Sequence, residues 1–350
     1  MKMDDILKYG IKKILVVNLG GIGDLLLSTP ALRVLKENYP ESEISILVVP
    51  RLYEIARDLR YIDQVFIFYK EGYYSLPRFL KNLLCLFRLR RMGFDICLNM
   101  RTLVSKKSAK KIKFIFYIIH PRIKAGRDTD GRGWFFDIKI PESLKDNKWE
   151  AEYDIKMMEA LGIKVSDRGF DFPLDSDSID NLRRILLRNG VSEKETLVGI
   201  HPGGKPSHRW QVQNFIKVID EISKVRNCRF IITGDNQDLD LTKWFRRVDT
   251  VNLIGKLSLK ELGALIKRCD LFISNDTGPM HIAAILKTPL IAIFGPGYLS
   301  RYDPRHISNK AVVFYKNTIC SPCDKLRCKT MHCLRDIYPE GVIAKALDFL

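Results

Sequence analysis

The sequence lacks two features that would place it in a membrane or outside the cell. No apolar run approaches the roughly 20 residues that a membrane-spanning helix needs, and a hydrophobic content of 46% is typical of a globular protein. The first residues, MKMDDILKYGIKK, carry acids where a signal peptide has a basic and then an apolar segment. We therefore expect a cytoplasmic protein whose cysteines stay reduced.

Two common nucleotide-binding signatures are also missing. No segment matches the P-loop pattern G-x-x-x-x-G-K-[ST], and GGIGDLL lacks the last glycine of G-x-G-x-x-G because Leu26 stands in its place. These absences exclude a P-loop enzyme and a standard dinucleotide-binding turn.

Acids are scarce compared with bases, and the imbalance is local. The chain has 41 Asp and Glu against 58 Lys and Arg, a net charge of +17. Residues 78–127 hold fourteen of the Lys and Arg and a single acid, Asp95, with six aromatic residues between them. Such a field attracts nucleic acid, anionic lipid or an acidic sugar phosphate. The alternative is a solvated basic face without a partner.

The apolar pattern indicates two α/β domains. At 350 residues the chain exceeds what one core usually supports, and short apolar strands alternate with amphipathic helices in both halves. The acidic, turn-rich segment DFPLDSDSIDN (171–181) separates them. We predict two doubly wound domains, residues 1–175 and 176–350, whose ligands bind beyond the carboxyl ends of the strands.

Two loops in the second half suit an anionic ligand. After the strand DLFIS, the residues Asp276, Thr277 and Gly278 open a helix that contains His281, and a helix start attracts phosphate. The segment GIHPGGKPSHRW combines flexible backbone at Gly203 and Gly204 with the basic side chains of Lys205, His208 and Arg209. Together the loops predict a diphosphate site, although Asp276 or Thr277 could equally cap the helix.

In the first half, the turn NLGGIGDLLLSTP places Asp24 between glycines and an apolar helix. A carboxylate there could cap the helix, belong to a nucleotide-binding turn, or act as a general base. The residues alone leave these roles open.

The three motifs together, in this order, resemble glycosyltransferase family 9, the lipopolysaccharide heptosyltransferases. The residues that carry the resemblance are NLGGIGDLLLSTPALRVLKENYP, GIHPGGKPSHRW and SNDTGPMHIAAILKTPLIAIFGP; GRGW and the terminal CSPC…C…CLRDIYPEGV are most similar to the heptosyltransferase II branch.

The resemblance implies a GT-B fold, two Rossmann-like domains facing a central cleft, with acceptor bound by the first and ADP-heptose by the second. It further implies inverting heptose transfer to an anionic lipopolysaccharide core of the Kdo-lipid A type, at the cytoplasmic face of the inner membrane, without catalytic metal. Asp24 would be the general base. The acceptor site would include Gly21, Gly23, Arg127 and Arg132, and the donor site would add Asn252 to the two loops described above.

Some positions depart from the family pattern. His208 stands where the family usually has Lys, and Asn252 where some relatives have a ribose-binding acid, which leaves the nucleotide base open. A family member using another nucleotide-sugar or acceptor, such as N-acetylglucosamine or a protein side chain, is one alternative. A basic nucleic-acid-binding protein is another, but the basic region lies within a Rossmann-like domain, so we expect no nucleic-acid partner.

Two further patterns could concern metals. Cys320, Cys323, Cys328 and Cys333 form C-x₂-C-x₄-C-x₄-C, which predicts a structural zinc or iron site, with reduced thiols or a local disulfide as alternatives. Asp-x-Asp occurs at 128–130, 175–177 and 238–240, and we interpret all three as surface acids.

Overall fold

Six short strands form a parallel sheet in the first half of the chain, in the order β3-β2-β1-β4-β5-β6. We describe a computed structural model covering residues 10–70, 75–246, 249–323, 325 and 327–350. The strands are β1 (Lys13–Asn18), β2 (Glu43–Val48), β3 (Gln64–Ile67), β4 (Ile96–Asn99), β5 (Ile123–Thr129) and β6 (Ile138–Glu142). The described helices are α1 (Ile22–Leu27), α2 (Thr29–Asn38), α3 (Tyr53–Arg57), α4 (Leu76–Met92), α5 (Lys106–Ile119) and α6 (Glu150–Ala160).

A second parallel sheet repeats this order as β9-β8-β7-β10-β11-β12. Its strands are β7 (Leu197–His201), β8 (Arg229–Ile232), β9 (Thr250–Asn252), β10 (Leu271–Asn275), β11 (Leu290–Phe294) and β12 (Ala311–Tyr315). The described helices are α7 (Ser176–Arg188), α8 (Val212–Ser223), α9 (Thr242–Phe245), α10 (Leu259–Arg268), α11 (Gly278–Ile285), α12 (Leu299–Tyr302), α13 (His332–Arg335) and α14 (Pro339–Phe349). The chain divides into two compact units, and the boundary between them lies between Asp171 and Phe172.

The central strands are apolar along their length because helices cover both faces of each sheet. Five of the six residues of β1 and all five of β7, β10 and β11 are buried. Burying one Val, Leu or Ile side chain contributes about 1.5–3 kcal/mol. These strands therefore form the rigid centres from which the loops at their carboxyl ends project.

The predicted fold class, two doubly wound α/β domains, is confirmed. The apolar pattern does not single out β5 or β6, because their sequences, IKAGRDT and IKIPE, mix polar with apolar residues. Among the described residues, no helix is both long enough and apolar enough to cross a bilayer.

Candidate active site

Both sheets have a switch point, where neighbouring strands are connected in opposite directions. In the first sheet it lies between β1 and β4, and in the second between β7 and β10. Ligands of open α/β sheets bind outside the carboxyl ends of the strands at such points. The loops that follow these four strands are therefore the candidate sites, and we describe each unit by itself.

Asp24 follows β1 and lies in the first turn of α1. Its Oδ2 accepts a hydrogen bond of 2.6 Å from the backbone N–H of Gly21, the N-cap residue, which is the contact that the third helical residue makes in a capping box. A Cβ on Gly20 would lie 2.5 Å from the Asp24 side chain, which explains why the turn needs glycine there. The cap that we considered as an alternative is present, and it leaves the second oxygen for other partners.

Arg101, from the loop after β4, holds that second oxygen. Its Nη2 lies 2.7 Å from Asp24 Oδ1, and its Nη1 donates to Glu150 Oε1 at 2.8 Å. Both Asp24 and Arg101 keep 16% of their side-chain surface exposed. The pair is therefore fixed by the protein but still open to a ligand.

A buried network continues from Glu150 back to the turn of Asp24. Arg127 Nη1 donates to Glu150 Oε1 at 2.6 Å, and its Nη2 donates to Asp154. The Ser28 hydroxyl donates to Asp154 Oδ2 at 2.6 Å. The backbone carbonyl of Asp24, 2.9 Å away, is an alternative acceptor for the same hydroxyl. The network connects both ends of α1 to α6 and β5.

The charged side chains of this buried network stabilise one another. Desolvation opposes the charged form of Arg127, but the carboxylates of Asp154, Glu150 and Glu142 outweigh it and raise the pKa of the guanidinium. Burial raises the pKa of Asp154 to about 6, and the charge of Arg127 opposes that rise.

The structure does not support the prediction that Arg127 contacts an acceptor. Its side chain is fully buried in β5, among carboxylates that hold its guanidinium. Arg132 is partly exposed, but its Nη1 bonds the backbone carbonyls of Leu103 and Thr129, both at 3.2 Å, and Asp130. Arg127 therefore stabilises the Asp24 turn indirectly, through Glu150 and Asp154, and Arg132 stabilises a neighbouring turn.

Further cations approach Asp24 from other strands. Arg51 Nη2 lies 3.4 Å from the position a Cβ would take on Gly21. Partial desolvation and then the charge of Arg51 lower the pKa of Lys70 to about 8, while Asp24 raises it and Lys111 and Arg101 lower it further. We call Asp24, Arg51, Lys70, Arg101 and Lys111 the Asp24 cluster. Arg101 contacts the carboxylate directly, and the charges of Asp24, Arg51, Arg101 and Lys111 all act on Lys70. The cluster therefore concentrates positive charge, which suits an anionic ligand.

In the second unit, the loop after β7 requires its glycines. A Cβ on Gly203 would lie 2.1 Å from Asp238 Oδ2, and Gly204 has φ +117° and no room for a Cβ beside Thr277. Asp238 Oδ1 accepts from Gly204 N–H at 3.2 Å and from Arg209 Nη2 at 2.7 Å. Arg209 Nε also donates to the Gly204 carbonyl at 2.8 Å. Arg209 thus holds the loop, whereas Lys205 is exposed on it.

The interpretation of Asp238 as a surface acid was wrong, because its side chain is buried and organises this loop. The acids at 128–130 and Asp175 are more exposed: Asp128 and Asp130 bond a local turn, and Asp175 caps α7.

Asn275 joins the two loops at this switch point. Its Nδ2 donates to the carbonyls of Pro202 and Gly203 at 2.9 and 3.1 Å, and its Oδ1 accepts from Trp210 N–H at 3.1 Å. The predicted donor loops therefore lie together at the carboxyl ends of β7 and β10.

Helix α11 begins between these loops. Thr277 is its N-cap residue in extended conformation, and its side chain makes no capping hydrogen bond. Instead, Thr277 Oγ1 lies 3.2 Å from Ser274 Oγ and 3.2 Å from the Asn275 carbonyl. The N–H groups of this turn, starting at Gly278, provide partial positive charge for an anion.

Three of the remaining predicted donor residues lie near the start of this helix or within it, and the fourth is the last residue of β9. Asp276 Oδ2 lies 2.0 Å from the position of a Cβ on Gly297, close to the His208 ring. His208 and His281 are buried, and His281 contacts the Tyr302 ring edge at 6.1 Å between centroids. Asn252 ends β9, and its Oδ1 accepts from Ile254 N–H at 3.1 Å.

The four cysteines of the C-terminal motif lie near one another. Burial and then the neighbouring thiols Cys320, Cys323 and Cys328 raise the pKa of Cys333. Within the described part of the chain, no group of three His, Cys, Asp or Glu side chains is arranged to hold a metal ion. The zinc or iron site therefore stays a prediction, which elemental analysis of the purified protein can test.

The sequence profile of glycosyltransferase family 9, described as heptosyltransferase, matches residues 86–334. The chain belongs to this family and is a glycosyltransferase. It is 25% identical to lipooligosaccharide heptosyltransferase 2 of Campylobacter jejuni over 343 residues, 94% of this chain and 95% of that protein.

Two further relatives cover most of the chain. Lipopolysaccharide heptosyltransferase 3 of Escherichia coli K12 is 28% identical over 283 residues, 78% of this chain and 79% of that protein. The structure of E. coli ADP-heptose lps heptosyltransferase II superposes with a TM-score of 0.75 at 18% identity, covering 96% of this chain and 98% of that one. The predicted family is confirmed, and relatives of more than one heptosyltransferase type match.

Proposed function

We propose that the protein transfers heptose from ADP-heptose to the anionic inner core of lipopolysaccharide, with inversion at the anomeric carbon. The observation that carries this proposal is the Asp24 carboxylate, which Gly21 and Arg101 hold at the switch point of the first unit in a family 9 enzyme. The names of the relatives support heptose as the sugar and lipopolysaccharide as the acceptor.

Asp24 acts in this proposal as the general base. The Gly21 N–H and the Arg101 guanidinium hold the carboxylate in one orientation, and 16% of the Asp24 side chain is exposed at the carboxyl end of β1. The acceptor hydroxyl forms a bond to the anomeric carbon as the sugar–phosphate bond breaks and its electron pair leaves with ADP. The hydroxyl proton passes to Asp24.

The cations of the Asp24 cluster bind the acceptor in this proposal. Carboxylates and phosphates of a Kdo-lipid A core would pair with Arg51, Lys70 and Lys111, while Arg101 keeps Asp24 in place. Gly21 and Gly23 leave space beside the carboxylate for the attacking hydroxyl.

The donor diphosphate binds, we propose, to the loop at Gly203–Lys205 and to the α11 start at Thr277–Gly278. The backbone N–H groups and the Lys205 ammonium would stabilise the charge that grows on the leaving group. Arg209 shapes the loop through Asp238, and Asn252, Asp276, His208 and His281 are the candidates for the sugars and the base.

A transfer assay tests this function. The protein is incubated with ADP-heptose and a panel of truncated core acceptors, and mass spectrometry detects a product heavier by one heptose. Calorimetric titration with ADP, UDP and GDP tests the donor separately, and we expect ADP to bind tightest. Preference for UDP or GDP would indicate another nucleotide-sugar, and lack of transfer to every acceptor would reject the proposed reaction.

The proposed reaction uses no metal or other cofactor, since backbone amides and cations neutralise the diphosphate. We also propose that the enzyme works at the cytoplasmic face of the inner membrane, where a lipid-linked acceptor is presented. The basic region of residues 78–127 supports contact with an anionic bilayer.

A further inference from the structure

Helix α4 carries an exposed apolar stripe. Leu76, Leu80, Leu84 and Phe87 are 70%, 49%, 70% and 52% exposed. Their spacing of four, four and three residues places them on one side of the helix, whereas its buried residues are Asn82, Leu86 and Leu89. A continuous row of large exposed apolar side chains is the usual mark of an interaction surface.

Positive charge surrounds this stripe without any acid. Five Lys or Arg lie in α4 and five in α5, and neither helix contains Asp or Glu. The two helices pack side by side, and Arg90 Nη1 donates to the Ile118 carbonyl at 3.0 Å. Apolar side chains combined with this charge fit a surface that is apolar below and anionic above, such as a phospholipid interface.

Helix α5 adds exposed aromatic residues to the same charge. Tyr117 is 75% exposed and Phe114 41% exposed, among the lysines of its outer side. Trp134 is 59% exposed, and Lys113 Nζ lies 4.0 Å from its ring centroid. Aromatic rings with a polar edge and lysines with long apolar stems are suited to the headgroup region.

The two helices begin at the edge of the sheet that carries the Asp24 cluster. Helix α4 follows β3 and α5 follows β4, so both start near the carboxyl ends of parallel strands. Lys70 before α4 and Lys111 in the first turns of α5 are themselves members of the cluster. A bilayer bound along these helices would therefore lie beside the acceptor site.

We propose that the outer sides of α4 and α5 bind an anionic phospholipid bilayer, with Leu80, Leu84 and Phe87 entering the interface and the lysines contacting headgroups. We call this surface the α4–α5 face; it comprises Leu76, Leu80, Leu84, Phe87, Lys107, Lys110, Lys113, Phe114 and Tyr117. The proposal deepens the proposed function by naming the surface that meets the lipid-linked acceptor.

Vesicle sedimentation tests the face with the full-length protein. Vesicles contain phosphatidylcholine alone, or phosphatidylcholine and phosphatidylglycerol in equal parts. We expect binding to the anionic vesicles only. Binding should be about tenfold weaker when Leu80→Ser, Leu84→Ser and Phe87→Ser are combined, a combination that we call the leucine variant. The matched control, Leu187→Ser with Leu239→Ser, changes two exposed leucines of the second unit and should bind like the wild type.

The charges need a separate variant. Combining Lys107→Gln, Lys110→Gln and Lys113→Gln should weaken binding at least tenfold and reduce its salt dependence. The proposal is overturned if the wild type does not bind anionic vesicles or if the leucine variant binds them as well as the wild type. It is also overturned if analytical sedimentation shows that the wild type is a dimer and that the leucine variant is a monomer. A competition experiment with duplex DNA gives a further check. The proposal is overturned if the DNA displaces the protein from vesicles and the leucine variant binds vesicles with wild-type affinity.

Transfer assays separate this proposal from the proposed function. The leucine variant should retain activity on a soluble, delipidated acceptor and lose most activity on an acceptor embedded in vesicles. If the wild type transfers heptose to neither acceptor, the proposed function fails, whereas vesicle sedimentation still decides the α4–α5 face.

Discussion

Asp24 combines an observed structural role with a proposed chemical role within one short turn. The Gly21 N–H fixes one carboxylate oxygen and Arg101 fixes the other, so the group keeps a single orientation. Fixing both oxygens costs little at the reaction step because the carboxylate does not have to reorganise. The cap and the proposed base are therefore compatible uses of the same side chain.

Replacing the carboxylate by an amide tests the proposed base. Asp24→Asn keeps an oxygen for Gly21 but cannot accept the acceptor proton, so kcat should fall by about 10²- to 10⁴-fold. Calorimetry should find ADP binding unchanged, since the donor loops lie in the other unit. Turnover at the wild-type rate would remove Asp24 from the mechanism.

Lys70 predicts a pH dependence for acceptor binding. Its pKa of about 8 means that the ammonium is charged below pH 8 and loses its charge as the pH rises through that value. The KM for an anionic acceptor should therefore rise about tenfold between pH 7 and pH 9, by loss of one charged hydrogen bond.

Lys70→Arg supplies the control for that pH dependence, because a guanidinium stays charged throughout this range. Steady-state kinetics of the variant should give a nearly constant acceptor KM, and Lys194→Arg, at an exposed site in the second unit, should behave like the wild type. An equal rise of KM in the Lys70 variant would contradict the assignment.

At the scale of elements, α1 depends on β5 and α6 through a buried ionic network. Arg127 in β5 meets Glu150 and Asp154 of α6, and Ser28 after α1 meets Asp154. Removing one member of such a network leaves a buried charge without its partner. The position of the Asp24 turn is thus set by helices and strands that are distant in sequence.

Arg127→Met should reduce the free energy of unfolding by about 3–5 kcal/mol. The ion pair between the exposed Arg122 and the partly buried Asp95, 3.2 Å apart, offers a control, and Arg122→Met should cost less than about 1 kcal/mol because the arginine is solvated. Urea unfolding followed by circular dichroism measures both. A stable Arg127 variant with only a raised acceptor KM would restore the original prediction that Arg127 binds acceptor.

The loop between β7 and α8 depends on close backbone packing against Asp238. Gly203→Ala would place a methyl group 2.1 Å from Asp238 Oδ2 and displace the carboxylate that holds Gly204 and Arg209. We expect ADP affinity to fall at least about tenfold. Gly341→Ala in α14, whose methyl meets only the Phe314 ring at 3.2 Å, is the control. Unchanged calorimetric affinity for Gly203→Ala would exclude this loop from donor binding.

At the scale of the whole molecule, the protein's positive charge is concentrated near one of the two proposed substrate sites. The basic excess lies in residues 78–127 of the first unit, where we place the acceptor. Raising the salt from about 0.05 to about 0.5 M shortens the Debye length roughly threefold. The acceptor KM should therefore rise several-fold more than the donor KM in steady-state kinetics. Equal responses would argue against a basic acceptor surface.

The sequence by itself determined the two doubly wound units and the loops that carry the candidate sites. Strand and helix periods, glycine turns and the Asn275–Gly278 segment are local features, and local features can be recognised without a structure.

Only the tertiary structure decided which side chains meet. Arg101 reaches Asp24 from the loop after β4, Arg51 lies beside Gly21 of the same turn, and Asp238 contacts the glycine loop from beyond β8. Arg127 belongs to a basic stretch in sequence but is buried in β5, because strand register directs its side chain towards α6. Such pairings depend on packing between elements that are far apart in the chain, and no local pattern of residues encodes them.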